Sequence, residues 1–134
     1  MNQYYLATDA ILLLASELRT RDRLIAQIEQ LLDSENAIVT SSFSLSEAAR
    51  MFERKNSVAQ FKPFLWRIRP VFETIVDFAE EDLERGQGLM ESHTMPWRQA
   101  MEAAIVLNHD LAGILSASDK FDSLETLRRI PFAL

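Results

Sequence analysis

Three acidic side chains stand at or just after the ends of predicted strands. Asp9 follows the first predicted strand, Glu47 lies in the first turns of the helix after the second, and Asp119 follows the fourth. Carboxylate oxygens suit Mg²⁺ or Mn²⁺, and a hard dication held by several of them binds phosphate and activates water. These residue types, in this order, indicate metal-assisted cleavage of a phosphodiester.

Each of the three acids also has a purely structural explanation. Asp9 can cap the helix that begins beside it, Glu47 can complete a capping box with Ser44, and Asp119 can be an ordinary turn residue. Taken singly, the structural explanation is the better one for each acid. The prediction of a metal site depends on the three acids meeting at one edge of a sheet.

The elements that must position these acids alternate along the chain. Short runs of β-favouring residues are bounded by turn residues, and the segments between them carry apolar residues at helical spacing. We predict strands over residues 3–8, 37–40, 74–77, 111–116 and 129–130. We predict helices over residues 10–18, 21–33, 45–55, 58–66, 79–89 and 97–108, with a loop marked by Gly86, Gly88, His93 and Pro96.

Strands that alternate with helices of this length indicate βαβ units. We therefore expect a single domain over residues 1–134, an α/β fold built as a three-layer α/β/α sandwich with a central parallel sheet of four or five strands. Ligand sites in such sheets lie beyond the carboxyl ends of the strands. Residues 7–9, 40–42 and 116–119 are therefore where chemistry is expected.

Composition removes several classes of site. The 134 residues include no cysteine, which excludes disulfides, thiolate zinc sites and cysteine nucleophiles. The two histidines, His93 and His109, have no partner at ligand spacing, and the three glycines form no phosphate-binding loop. No apolar run approaches the roughly 18 residues of a bilayer span. We expect no secretory signal, because residues 1–5 lack basic side chains and no small-residue cleavage site follows residues 10–15. A cytoplasmic location without membrane contact is expected.

The net charge of -6 and the pI near 4.9 argue against a broad electrostatic attraction for nucleic acid. Basic residues nevertheless occur in small groups, at positions 19–23, 50–55, 62–69 and 128–129. A solvated helix face explains each group at least as well as a phosphate track does. An acidic centre ringed by arginines would have the same composition, so RNA is kept as a candidate ligand.

Three segments resemble the motifs of the PIN domain, in the order in which that family has them. Residues 6–12 (LATDAIL) resemble its opening motif, in which a strand ends in aspartate and leads into an apolar helix. Residues 40–48 (TSSFSLSEA) resemble its serine-rich turn into a helix that carries a glutamate. Residues 114–122 (ILSASDKFD) resemble its apolar strand followed by aspartate and a nearby phenylalanine. The resemblance covers nearly the whole chain.

By this resemblance, Glu47 and Asp119 are catalytic residues and metal ligands, and Thr8 is a hydroxyl partner. Asp9 occupies a position that is often polar or acidic in the family, and we include it among the catalytic and metal-binding candidates. Its side chain either turns into the site or caps a helix.

Two positions depart from the family pattern. Ala7 stands where the first aspartate is expected, and Gln99 stands where an acid is expected at the head of the alanine-rich helix. Glu102 lies three residues after Gln99 on a similar helix face and is a candidate metal ligand that partly substitutes. Three origins are open: natural loss of the acids, their relocation, or an inactivating substitution at Ala7.

The resemblance implies a Mg²⁺- or Mn²⁺-dependent endoribonuclease related to the VapC-like toxins. It also implies RNA as the substrate, a cognate antitoxin as a partner, and a homodimer. Because Ala7 and Gln99 lack the expected charge, we expect metal binding to be weak or absent and nuclease activity to be impaired. The alternative is a non-catalytic PIN-like module that binds RNA or a protein partner through the same edge of the sheet.

Overall fold

The computed structural model describes all 134 residues, and five parallel strands form its central sheet. The strands are β1 (Gln3–Leu6), β2 (Ala37–Ser41), β3 (Phe72–Val76), β4 (Gly113–Leu115) and β5 (Arg129–Ile130). They lie side by side in the order β3-β2-β1-β4-β5, and every pair is parallel. The predicted α/β fold with a parallel sheet is confirmed.

Six helices connect the strands. They are α1 (Thr8–Leu14), α2 (Thr20–Asp33), α3 (Ser42–Arg54), α4 (Phe61–Ile68), α5 (Glu80–His93) and α6 (Trp97–Asn108). Short 3₁₀ helices cover Val58–Gln60, Arg69–Val71 and Asp119–Ser123. No helix combines the length and the apolar character that crossing a bilayer requires.

Alternation of side chains along β1 divides the core between two faces of the sheet. Tyr4 and Leu6 pack in a cluster with residues of α1, α2, α3 and α4, whereas Tyr5 and Ala7 pack in a second cluster that is dominated by α6. Helices therefore cover both faces, which gives the three layers that the sequence predicts.

The helices that follow β1 and β2 begin earlier than predicted. The N-cap of α1 is Ala7, so the interpretation of Asp9 as the cap of this helix is wrong. The N-cap of α3 is Ser41, whose side chain accepts a hydrogen bond from the backbone N–H of Ser44. The predicted capping box of Ser44 and Glu47 is therefore also wrong. Both helices start directly where the strand stops, without an intervening turn.

The fifth helix is longer than predicted. Gly86 and Gly88, which we expected to mark a loop, lie inside α5, and the helix continues to His93. At Gly86 an added Cβ would lie 2.6 Å from Met101 Sδ and 2.9 Å from Met101 Cε. Close packing of α5 on α6 therefore offsets the low helix propensity of glycine at this position.

The segment before β3 contains Pro63 without a kink. The predicted helix over residues 58–66 is a 3₁₀ turn followed by α4, and Pro63 lies in the first turn of α4. An amide in that turn has no intrahelical partner, so proline costs little there.

Candidate functional site

The carboxyl ends of β1, β2 and β4 meet at one edge of the sheet because these strands are parallel neighbours. We call this edge the strand-end rim and define it as residues 7–9, 41–44 and 116–119. Ala7, Thr8, Ser41 and Ser116 are all buried in it. The rim is where the sequence predicts chemistry, and its floor is polar.

Glu102 reaches the rim from the middle of α6 and is buried there, with 1% of its surface exposed. Its Oε2 accepts hydrogen bonds from the backbone N–H of Thr8 at 2.7 Å, from Thr8 Oγ1 at 2.9 Å and from Ser44 Oγ at 2.7 Å. A carboxylate removed from water needs such donors. Glu102 therefore links α6 to the first turns of α1 and α3.

Tyr5 extends this network beneath the rim. Its hydroxyl oxygen lies 2.6 Å from Ser41 Oγ and is also hydrogen-bonded to Ser44 Oγ. Since Ser44 donates its only hydroxyl proton to Glu102, Tyr5 donates to Ser44, and Ser41 donates to Tyr5. One orientation of the hydroxyls thus satisfies all of these groups.

Burial raises the pKa of Glu102 to about 7, and the hydrogen bonds from Ser44 and Thr8 and the nearby Arg98 act in the opposite direction. Burial also raises the pKa of the Tyr5 hydroxyl, and the charge of Glu102 adds to this effect. Tyr5 is therefore protonated throughout the physiological range, whereas Glu102 changes its protonation near neutral pH.

Asp9 is half-buried in the first turn of α1, and its carboxylate turns towards β4. Its Oδ2 accepts hydrogen bonds from Ser116 Oγ at 2.9 Å and from the backbone N–H of Ala117 at 3.0 Å. Its Oδ1 is buried and has no hydrogen-bond partner. Asp9 therefore ties α1 to the end of β4 and keeps one oxygen free.

The two acids that match the family motifs differ in their surroundings. Glu47 is buried on α3, and its Oε2 lies 3.0 Å from an Nη2 of Arg50. Asp119 is exposed at the start of the 3₁₀ helix Asp119–Ser123, and its side chain forms no ion pair. The charge of Glu47 is thus partly neutralised, whereas that of Asp119 is free.

The two departures from the family pattern have different consequences. Ala7 is buried and caps α1 without a side-chain hydrogen bond, so the carboxylate of Glu102 meets the first amide of that helix instead. A negative charge is favourable at a helix N-terminus. Gln99 is half-buried on α6, and its side chain forms no hydrogen bond within the chain. Glu102 therefore supplies from α6 the acceptor that Ala7 does not provide for the first amide of α1.

The acids do not fit a divalent-cation site as they stand. No three Asp, Glu or His side chains are grouped so that they could hold a metal ion. The Oε2 of Glu102 is saturated by protein donors, and Glu47 is paired with Arg50. A Mg²⁺ site needs several oxygen ligands around one point. The catalytic and metal-binding roles of Asp9, Glu47, Asp119 and Glu102 stay predictions.

Four residues in the rim or directly beneath it have roles that sequence reasoning missed. They are Tyr5, Ser41, Ser44 and Ser116. From sequence, the serines after β2 have only turn and capping roles, and Ser116 is only a strand end. Two features of the sequence could have indicated these roles. Hydroxyl residues recur where strands end, and a single glutamate interrupts the apolar run of residues 100–107.

Arg129 on β5 forms an ion pair with Asp122 beside the rim. Its Nε and Nη2 donate to the Asp122 carboxylate at 2.8 and 2.9 Å, and its Nη1 donates to the backbone oxygen of Ser116 at 3.2 Å. The hydrogen bond from Arg129 lowers the pKa of Asp122, and the same bond raises the pKa of Arg129. The charges of Asp119 and Asp9 raise the pKa of Arg129 further. This pair holds the segment after β4 against β5.

Structural comparison identifies the fold that carries this rim. A chain of VapBC2 from Rickettsia felis, determined bound to a DNA fragment from its promoter, superposes with a TM-score of 0.80 and 18% sequence identity over 98% of this chain and 99% of that chain. The chain has the VapC-type PIN fold. No protein-family model matches the sequence, and no curated protein matches it.

Two further structures share the PIN fold. VapC20 from Mycobacterium tuberculosis, a sarcin-ricin-loop-cleaving toxin, has a TM-score of 0.71 and 13% identity over 90% of this chain and 93% of that chain. A chain of a toxin–antitoxin complex from Klebsiella pneumoniae has a TM-score of 0.63 and 17% identity over 93% of this chain and 95% of that chain. At these identities the likeness is one of fold.

Proposed function

We propose that the chain is a toxin-type PIN protein of the cytoplasm that binds RNA at the strand-end rim and cleaves it poorly. The position and hydrogen bonding of the acids at the strand-end rim support this proposal. Ala7 brings no carboxylate to the end of β1, and the acid that reaches the same place, Glu102, is hydrogen-bonded to Thr8 and Ser44. RNA as the target class is supported by the fold relation to VapC20, which cleaves the sarcin-ricin loop.

The test returns acids to the two departing positions. Calorimetric titration with Mn²⁺ should show little binding to the unmodified chain and clear binding to Ala7→Asp, Gln99→Asp, and RNA cleavage should rise in the same variant. The matched control is Ala7→Asn, Gln99→Asn, which has side chains of the same size without charge. It should behave like the unmodified chain.

Two results would count against this proposal. RNA cleavage by the unmodified chain at the rate of the acid variant would show that the rim is competent as it stands. Failure of the acid variant to bind Mn²⁺ would show that the rim is not an inherited metal site.

A second candidate function is a non-catalytic PIN-like module that binds RNA or a protein partner. The scattered arrangement of the acids favours it, because no three of them are grouped. The two candidates differ in one outcome. A non-catalytic module gains no RNA cleavage from Ala7→Asp, Gln99→Asp, even where the variant gains Mn²⁺ binding.

For the toxin-type protein we also propose a protein partner, a cognate antitoxin. It binds in a groove between α2 and α4. This groove has a volume of about 390 Å³. Its charged lining residues are Arg21, Glu29 and Arg67, and the others are apolar: Leu14, Ala15, Ile25, Ile28, Leu32, Phe64, Ile68 and Val71. Ile25 and Leu32 are 37% and 39% exposed. An amphipathic segment with acidic flanks would bury the apolar side chains and meet Arg21 and Arg67.

Co-expression with the product of the neighbouring gene tests this groove. Ile25→Asp, Leu32→Asp places two charges among the apolar lining and should abolish co-purification. The control is Leu18→Asp, which alters an exposed apolar residue that does not line the groove. Retained co-purification of the double variant would contradict the groove assignment.

A further inference from the structure

A cleft opens beside the rim, between the end of α5 and the 3₁₀ helix that follows β4. It has a volume of about 430 Å³ and is lined by His93, Thr94, Met95, Asp119, Lys120 and Ser123. Five of these six side chains are polar or charged. Because Asp119 belongs to both, the cleft is continuous with the strand-end rim.

Two nitrogen-bearing side chains of the cleft have atoms without a partner in the protein. Lys120 takes part in no ion pair, and its side chain donates no hydrogen bond. His93 uses only Nδ1, which lies 2.8 Å from Ser92 Oγ. One ammonium group and one ring nitrogen therefore stay free for a ligand.

The hydrogen bonds of Ser92 fix the tautomer of His93. Ser92 donates its only hydroxyl proton to the backbone oxygen of Gly88 at 2.8 Å. Ser92 Oγ must therefore accept from His93, so Nδ1 carries the proton of the neutral ring. The Nε2 of that ring is then a hydrogen-bond acceptor, which suits a hydroxyl group and not a phosphate oxygen.

Thr94 is held in a backbone conformation that its side chain disfavours. It ends α5 with φ 53° and ψ 35°, in the left-handed region where helices usually place glycine. The other non-glycine residues with positive φ, Glu35, Asn56 and Asp110, are not β-branched. The chain thus keeps a strained, hydroxyl-bearing residue in the lining of this cleft, and strain of this kind is typical of functional sites.

We propose that this cleft binds one ribose-phosphate unit of the RNA backbone. Lys120 pairs with the phosphate, the Thr94 hydroxyl donates to it, and Nε2 of His93 accepts a hydrogen bond from the ribose 2′-hydroxyl. The carboxylate of Asp119 repels the phosphate, so the phosphate lies at the end of the cleft that Lys120 and Thr94 line. The 2′-hydroxyl is the group by which a protein distinguishes RNA from DNA. This inference rests on the proposed RNA target.

Fluorescence anisotropy with a labelled single-stranded RNA and its 2′-deoxy counterpart, both in EDTA, tests the cleft without cleavage. The unmodified chain should prefer the RNA. Lys120→Ala should weaken binding of both strands by about tenfold, because it removes a phosphate contact. His93→Ala should weaken RNA binding alone and abolish the preference. The matched controls are Lys55→Ala, at an exposed lysine that ends α3, and His109→Ala, at the other histidine. Neither residue lines the cleft, so both affinities should stay unchanged.

Thr94→Gly gives a second, independent readout. Glycine relieves the backbone strain, so the thermal midpoint should rise, whereas loss of the hydroxyl should weaken RNA binding. Glu35→Gly relieves the same kind of strain away from the cleft and should raise the midpoint without changing the affinity. A Thr94→Gly protein that is more stable and binds RNA as before would overturn the role of Thr94.

The outcomes separate this inference from the proposed function. RNA binding that is unchanged in both Lys120→Ala and His93→Ala overturns the cleft and leaves the RNA target standing. Equal binding of RNA and DNA by the unmodified chain overturns the role of His93. If the unmodified chain binds no RNA, the RNA target and the cleft are both wrong.

Discussion

Glu102 and Ala7 together determine the character of the strand-end rim. The alanine leaves the first amide of α1 without a partner on its own chain segment, and the glutamate supplies one from α6 at 2.7 Å. The charge that results is far from water, because Glu102 is 1% exposed. A buried carboxylate of this kind affects stability as well as function.

The unfolding free energy should depend on pH through Glu102. Its pKa is about 7 in the folded chain and ordinarily 4.5. Below 4.5 the group is protonated in both states, and above 7 it is ionised in both, so the folded state loses stability as the pH rises through this window. One pKa unit corresponds to about 1.4 kcal/mol, so urea unfolding at pH 5 and pH 8 should differ by about 3 kcal/mol.

Glu102→Gln removes this dependence because glutamine does not ionise and still offers an oxygen to Thr8 and Ser44. The stability loss between pH 5 and pH 8 should shrink in this variant. Glu91→Gln, at an exposed position of α5, is the control and should retain the slope of the unmodified chain. Equal slopes in Glu102→Gln and the unmodified chain would show that Glu102 does not titrate in this range.

Sequence reasoning reached the positions of the rim but not its contacts. Glu47, Asp119 and Asp9 were placed near strand ends because parallel strands end at one edge, and that argument needs only the order of elements. The direction of a side chain depends on helix rotation. The spacing from Gln99 placed Glu102 on the correct face of α6, but the apolar residues that surround it from Ala100 to Leu107 do not indicate which groups its carboxylate contacts.

Among the elements, α6 was predicted with its observed bounds, and α2 and β2 within one residue. These segments have strong periodicity or clear boundaries, and local sequence is sufficient for them. The fifth helix was predicted too short because Gly86 and Gly88 lower helix propensity. Gly86 packs against Met101, which belongs to the next helix, so the local sequence around Gly86 does not indicate this contact.

The two glycines of α5 should respond oppositely to alanine. At Gly88 an added Cβ meets nothing within 4 Å, so Gly88→Ala should raise the unfolding free energy by about 1 kcal/mol through helix propensity. At Gly86 the same Cβ would lie 2.6 Å from Met101 Sδ and 3.3 Å from the backbone oxygen of Ala100. Gly86→Ala should therefore lower the unfolding free energy by about 1 to 3 kcal/mol.

Urea denaturation of both variants measures these changes, and each glycine serves as the control for the other. Stabilisation of both variants by the same amount would show that α5 does not approach α6 as closely as the described contacts require.

At the scale of the whole molecule, a large aromatic side chain lies outside both core clusters, on the exposed side of α4. Trp66 on α4 is 71% exposed, and Val58 nearby in the chain is 63% exposed. The Nζ of Lys62 lies 5.8 Å from the centre of the Trp66 ring. Phe64 and Ile68 lie on the opposite side of α4, where they pack in the core and line the groove between α2 and α4. An exposed tryptophan of this kind is typical of an interface with another chain.

We expect Trp66 to be buried in the homodimer that the PIN resemblance implies. Light scattering coupled to size exclusion should then give about 31 kDa, twice the 15.4 kDa of one chain. Trp66→Ser removes the largest exposed apolar group and should shift the mass to that of one chain, because aromatic residues dominate the energy of such interfaces. Leu18→Ser changes another exposed apolar residue and should leave the dimer intact. A single-chain mass for the unmodified protein at micromolar concentration would contradict the homodimer, and a dimeric Trp66→Ser protein would place the interface on another face.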